Sequence, residues 1–148
     1  MSSSLFLHAL ARFRSSLPLS QAELLGSRHG YDLSVALRKA FWLLEGSLPD
    51  FAICWREAEG ASKLHHLCLS HQGVAFDLFG TNVMERLREA DFEDGFTLRL
   101  SLFDSHVEFQ RSLVESDYFS SWWPASRDEL AQLESGILIA AEELAPPV

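Results

Sequence analysis

Apolar positions in the first half of the chain recur at helical spacing. Leu5, Phe6, Ala9, Leu10 and Phe13 follow the serines Ser2 to Ser4, any of which can cap a first turn, and predict an amphipathic helix. After Pro18, the spacing Ser20-Gln21-Ala22-Glu23 is that of a capping box and predicts a short second helix ending near Gly26. Asp32 is placed to cap a third. Leu33, Val35, Ala36, Leu37, Ala40, Phe41 and Leu44 leave that helix too little polar surface to lie on the outside, so it is expected to cross the core and stop at Gly46.

From Phe51 the period drops to two. Phe51 to Trp55 predicts a strand, and Leu64 to Ser70 with Val74 to Phe79 predicts a β-hairpin turning at His71-Gln72-Gly73. Thr81 or Asn82 can cap a helix carrying Val83, Met84 and Leu87 on one side. Phe96, Leu98, Leu100 and Leu102 then alternate with Thr97, Arg99 and Ser101, the cleanest strand pattern in the chain. Val107 to Leu113 is compatible with a returning strand or with a helix. A capping box at Ser126 and Glu129 opens a last helix whose face is Leu130, Leu133, Ile137, Ala141 and Leu144, ending before Pro146-Pro147. The expected fold is α+β: a mainly antiparallel sheet of four to five strands packed against a central N-terminal helix and a C-terminal helix. With no repeat and no Pro- or Gly-rich linker, residues 1–148 read as a single domain.

Charge changes the picture once it is divided along the sequence. The first 74 residues hold seven basic and six acidic side chains, whereas the remaining 74 hold five and fifteen, giving the chain its net charge of −9. Such a surface repels nucleic acid and anionic membranes and steers encounter with a basic protein partner. No apolar run is long enough to span a bilayer. The first 22 residues are rich in Ser and carry Arg12 and Arg14 without an acid, as transit peptides do, but their apolar spacing favours a docked helix. Two cysteines, Cys54 and Cys68, make no disulfide framework and have no paired zinc-ligand spacing, which points to a reducing, cytoplasmic setting.

Candidate chemistry is concentrated at the hairpin. Strand periodicity puts His66, Cys68 and Asp77 on one face, and His65, Leu67, Leu69, Phe76 and Leu78 on the other. A four-residue loop sets His66 directly opposite Asp77. A two-residue loop makes them diagonal and sets Cys68 against the carboxylate. A His–Asp pair across two strands fixes an imidazole tautomer for general-base work. His66, Cys68 and Asp77, with His29, could also converge on a metal, although a half-buried, hydrogen-bonded His is the commoner arrangement and no metal or cofactor is expected.

A helix, a strand, a His-bearing strand and an Asp-bearing strand, with Leu64-His65-His66-Leu67 and Gly73-Val74-Ala75-Phe76-Asp77, resemble the papain-like and transglutaminase-like cysteine hydrolase core over residues 29–79. The resemblance implies that His66 and Asp77 match the base and its orienting acid. The nucleophilic Cys of that family opens the helix, where the dipole lowers its pKa. Here the helix opens His29-Gly30-Tyr31-Asp32-Leu33-Ser34, so the resemblance implies a degenerate, non-catalytic member. Cys68, in mid-strand, lacks a cation or helix terminus to stabilise a thiolate.

A second candidate is Tyr118-Phe119-Ser120-Ser121-Trp122-Trp123. Exposed, these rings would anchor a protein partner, with Glu115, Asp117, Asp128 and Glu129 as a charged rim. Buried, they would plug the core beneath the last helix. Base stacking needs more basic neighbours than Arg111 and Arg127. No phosphate-loop, dinucleotide, HExxH or GxSxG pattern occurs. The expectation is therefore a small acidic protein-binding domain, of the kind represented by immunity proteins and phage anti-defence or anti-CRISPR inhibitors that cover a basic surface. The alternatives are a hydrolase using His66 and Asp77 with Cys68 as a candidate nucleophile, and an adaptor subunit.

Overall fold

A computed structural model describes residues 4–28, 30–90 and 95–144, without the side chains of residues 24 and 26–28. Helix α1 (Leu5–Ser15) is capped by Ser4, whose Oγ accepts from the Leu7 amide at 3.2 Å. Helix α2 (Leu19–Arg28) leads to the central helix α3 (Gly30–Glu45), which ends where Gly46 takes φ 77°. Strands β1 (Asp50–Ala58), β2 (Ala61–His71) and β3 (Val74–Phe76) follow, then α4 (Val83–Ala90), β4 (Thr97–Phe103), α5 (His106–Glu115), a 3-10 turn at Tyr118–Ser120 and α6 (Arg127–Leu144). The four strands form one antiparallel sheet in the order β3-β2-β1-β4.

One face of the sheet, through Phe51, Ile53, Leu67, Leu69 and Phe76, packs against α1, α3, α5 and α6. Phe6, Phe41 and Phe76 form a ring trio with centroids 5.1–5.5 Å apart at its centre, and Phe51 stacks on Phe109 of α5 at 4.3 Å. Helices α1 and α6 meet at Gly136, where a methyl group would lie 2.2 Å from the Phe13 ring. The second face is thinner. Ala52 and Cys68 meet Val83 of α4, with Leu87 and Leu100 packed alongside, and Leu102 stays 52 % exposed.

The structure resolves one open reading and corrects several others. Val107 to Leu113 is helical: the Ser105 side chain accepts from the Glu108 amide, and Phe109 and Leu113, four apart, are both fully buried while Val107 faces out. Strand β3 stops at Phe76 because Asp77 and Gly80 close a tight turn on each other, exchanging backbone hydrogen bonds of 3.0 Å. Ser20 lies inside α2, whose first turn bonds back to the Pro18 carbonyl, and Asp32 lies in the first turn of α3 with its carboxylate turned to a different task. The capping box of α6 forms in both directions, Glu129 N to Ser126 Oγ at 3.1 Å and Ser126 N to Glu129 Oε1 at 3.2 Å. His29 and Pro146-Pro147 lie outside the described residues.

Candidate functional site

The hairpin takes its two-residue turn. Gln72 and Gly73 have φ 51° and 81°, and the ladder runs His71 to Val74 and Leu69 to Phe76. Continued by one residue, that register sets Asp77 beside Cys68 and diagonal to His66. His66 reaches across: its Nε2 lies 2.8 Å from Asp77 Oδ2. The carboxylate accepts, so Nε2 carries the proton. Asp77 Oδ1 accepts from Arg86 of α4 at 2.7 Å and from the Phe79 amide at 2.9 Å. Burial by itself would raise the Asp77 pKa; the hydrogen bonds from His66 and Arg86, and their charge, override it and hold the carboxyl below the usual carboxylate range. Arg86 is the member of this cluster that strand periodicity could not supply. It is also anchored to the carbonyls of Thr81 and Gly80.

Alternation along β2 breaks once. Cys54 pairs with His66 but Trp55 with Leu64, so His65 is an extra residue, a β-bulge. Its effect is visible in the packing: Leu64 joins Leu67 and Leu69 against the helix-side core, three residues from Leu67 instead of two. Both His65 and His66 consequently border one cavity of about 910 Å³, lined also by Leu64, Leu67, Glu23, Gly30, Phe79, Leu87 and Tyr118.

The start of α3 lies across this cavity, and it is fully committed. The Tyr31 amide donates to Tyr118 Oη at 3.1 Å, and Asp32 Oδ2 accepts from Trp122 Nε1 and the Ala125 amide, both at 3.1 Å. Tyr31 Oη accepts from Gln110 Nε2 and is hydrogen-bonded to His106 Nε2 at 2.7 Å. Burial, reinforced by Arg38, lowers the His106 pKa and favours its neutral form. Gly30 offers no side chain, and Ser34 is buried at 3 % exposure. Both cysteines are buried; burial pushes the Cys54 thiol up to about 11 and, with Asp77 adding to it, the Cys68 thiol up to about 12. Among the described residues, no three His, Cys, Asp or Glu side chains are grouped as a metal would need.

The aromatic segment divides. Tyr118, Phe119 and Trp122 pack against the core, with Tyr31 edge-on to Phe119 and Trp122 at 5.3 and 6.0 Å, while Trp123 turns outward at 59 % exposure. Glu115, Asp117 and Asp128 are exposed and Glu129 serves the cap of α6. No helix among the described residues is long and apolar enough to cross a membrane. No family model, curated protein or solved structure matches the chain.

Proposed function

We propose that this chain is a non-catalytic protein-binding domain, a degenerate version of the papain-like and transglutaminase-like core, which engages a basic surface of another protein. In this reading it acts as immunity and anti-defence inhibitors do, by covering a positively charged groove of a nuclease or another nucleic-acid-binding effector. The observation that carries it is the closed start of α3. The amide that would stabilise a helix-start nucleophile is held by Tyr118, and the neighbouring carboxylate by Trp122 and Ala125. The His66–Asp77 pair is likewise tied down by Arg86, as expected of a structural clasp. What remains outward in this region is Trp123 with Glu115, Asp117 and Asp128, an aromatic anchor in an acidic setting.

Affinity capture from lysate at low and high salt tests this reading. A basic protein retained at low salt, released by salt, and lost when Glu115, Asp117 and Asp128 are changed to Lys together supports it. Capture that ignores both salt and charge reversal removes the acidic surface from consideration. A hydrolase reading rests on the 2.8 Å contact of His66 with Asp77. It requires Cys68 to react with iodoacetamide far faster than Cys54 near neutral pH.

A further inference from the structure

We propose that the groove between α1 and the end of the hairpin binds a small, slender apolar carboxylic acid, with its carboxylate on Arg14 and its tail along Leu7. The groove is separate from the cavity beside His66, and the proposal goes beyond the protein-binding reading without depending on it.

Helical spacing builds one wall. Leu7, Ala11 and Arg14, at i, i+4 and i+7, fall on one face of α1. Leu7 and Ala11 line a cavity of about 770 Å³, closed on its other sides by Phe41 of α3, by Val74 and Phe76 of β3, and by Thr81. Phe41 and Phe76 are buried and stack with centroids 5.5 Å apart, whereas Val74 is left 46 % exposed at the groove's rim. An apolar cavity of this size, with a few polar groups at its ends, is what a small ligand requires.

Charge selects the ligand and gives it a direction. Arg14 stands at one end: its Nη1 lies 3.7 Å from the point a Cβ would occupy on Gly80, which lines the cavity together with Thr81. Arg14 is half-buried, and among the described residues no carboxylate reaches its guanidinium, whereas Arg12 is taken by Glu143 and Arg86 by Asp77. Asp77, in the same turn as Gly80, already accepts from His66, Arg86 and the Phe79 amide. No Asp or Glu lines the cavity, in a chain whose net charge is −9. A half-buried cation without a counter-ion is stabilised by an incoming anion, and a guanidinium offers a carboxylate two parallel hydrogen bonds. The Thr81 hydroxyl, unengaged among the described residues, is a further donor at this end.

The opposite end disfavours an anion. Ser4 borders the cavity there and donates to Glu45 Oε1 at 2.6 Å, and the same oxygen accepts from the Phe6 amide at 2.9 Å. Ser4 and Arg14 are about 15 Å apart along the helix, so the two charges act on different ends of a bound molecule. An acid head is attracted to Arg14 and repelled from Glu45, and the tail lies over Ala11 and Leu7. From Arg14 back to Leu7 the groove runs about 10 Å, room for a chain of about eight carbons.

The test titrates the full isotopically labelled chain with octanoate, 1-octanol and octylammonium. Octanoate is expected to saturate at one equivalent, to shift the methyl signals of Leu7, Ala11 and Val74, and to bind about tenfold or more tighter than 1-octanol, with octylammonium weakest. Arg14→Gln removes the charge from a side chain that has no ion pair to lose, so the variant should keep the near-ultraviolet dichroism of the wild type. It should bind 1-octanol unchanged while octanoate loses its advantage. Ala11→Phe fills the groove and should weaken octanoate and 1-octanol alike, by about tenfold or more. The proposal is overturned if octanoate fails to bind at millimolar concentration or binds no tighter than 1-octanol. It is overturned equally if the preference for octanoate survives in Arg14→Gln, or if the shifted signals lie outside the groove.

Discussion

Asp77 has both oxygens engaged, by His66, Arg86 and the Phe79 amide, in a site where it is only 5 % exposed. Replacing it with Asn leaves the Arg86 charge without a counter-ion. Breaking a fully buried pair costs several kcal/mol, but Arg86 is about one-third exposed, so D77N should cost about 2 kcal/mol in a urea titration at pH 7. The folded carboxyl binds its proton less readily than the unfolded one. Its contribution is therefore complete above the unfolded value, near 4, and is lost as pH falls through the lower folded value, so the stability difference between wild type and D77N should shrink as the pH is lowered from 7 into the acid range. Thiol chemistry gives a second check. With its pKa near 12, Cys68 is thiolate in only about one molecule in ten thousand at pH 8, so both cysteines should label with iodoacetamide only after unfolding. Gly30→Cys places a thiol in the cavity, where its Cβ meets nothing closer than 3.7 Å, and should label at least about a hundredfold faster than either. At this scale the His66–Asp77 pair was legible because a strand's period of two assigns faces without a fold. Arg86 was not, because nothing in its own helix says where that helix lies.

Elements were legible wherever a cap and a period agreed. The box at Ser126 and Glu129 and the apolar stripe behind it describe one helix from either end, and α6 forms as expected. Signals that stood alone misled. Ser20 and Glu23 have the right spacing, yet the helix starts earlier because the Pro18 carbonyl already accepts from Gln21 and Ala22. The clean alternation of Leu98, Leu100 and Leu102 did not mislead, since β4 forms there, although α4 covers too little of that face to bury Leu102. A bulge has no local signature at all, since His65 is an ordinary strand residue and only the pairing with β1 reveals it. Gly136 is a further case where context reverses a rule. A glycine within a helix is normally improved by alanine, by about 1 kcal/mol. Here the added methyl would overlap the Phe13 ring, so Gly136→Ala should lower stability by about 1–3 kcal/mol, measured as a fall in urea midpoint without a change in slope.

For the molecule as a whole, the α+β class and its antiparallel sheet followed from the order of periods along the chain, helical, then two-residue, then helical again. Burial of the aromatic segment did not, because the partners of Tyr118 and Trp122 are Tyr31 and Asp32, almost ninety positions away. Contacts of that range also bind α1 to α6, and Phe6, Leu10, Leu133 and Ile137 all belong to one core. Removing α6 should therefore abolish the cooperative transition of the remainder, read as loss of the near-ultraviolet dichroism of the buried rings. The same arrangement dictates a timetable. Phe13 is made more than a hundred residues before Gly136, the α6 residue it packs against, with every strand between them. At ordinary elongation rates the nascent chain spends on the order of ten seconds with the α1 face uncovered. During that interval Phe6 and Phe13 are apolar surface open to aggregation, so a chain interrupted before α6 should be more aggregation-prone than one that carries it.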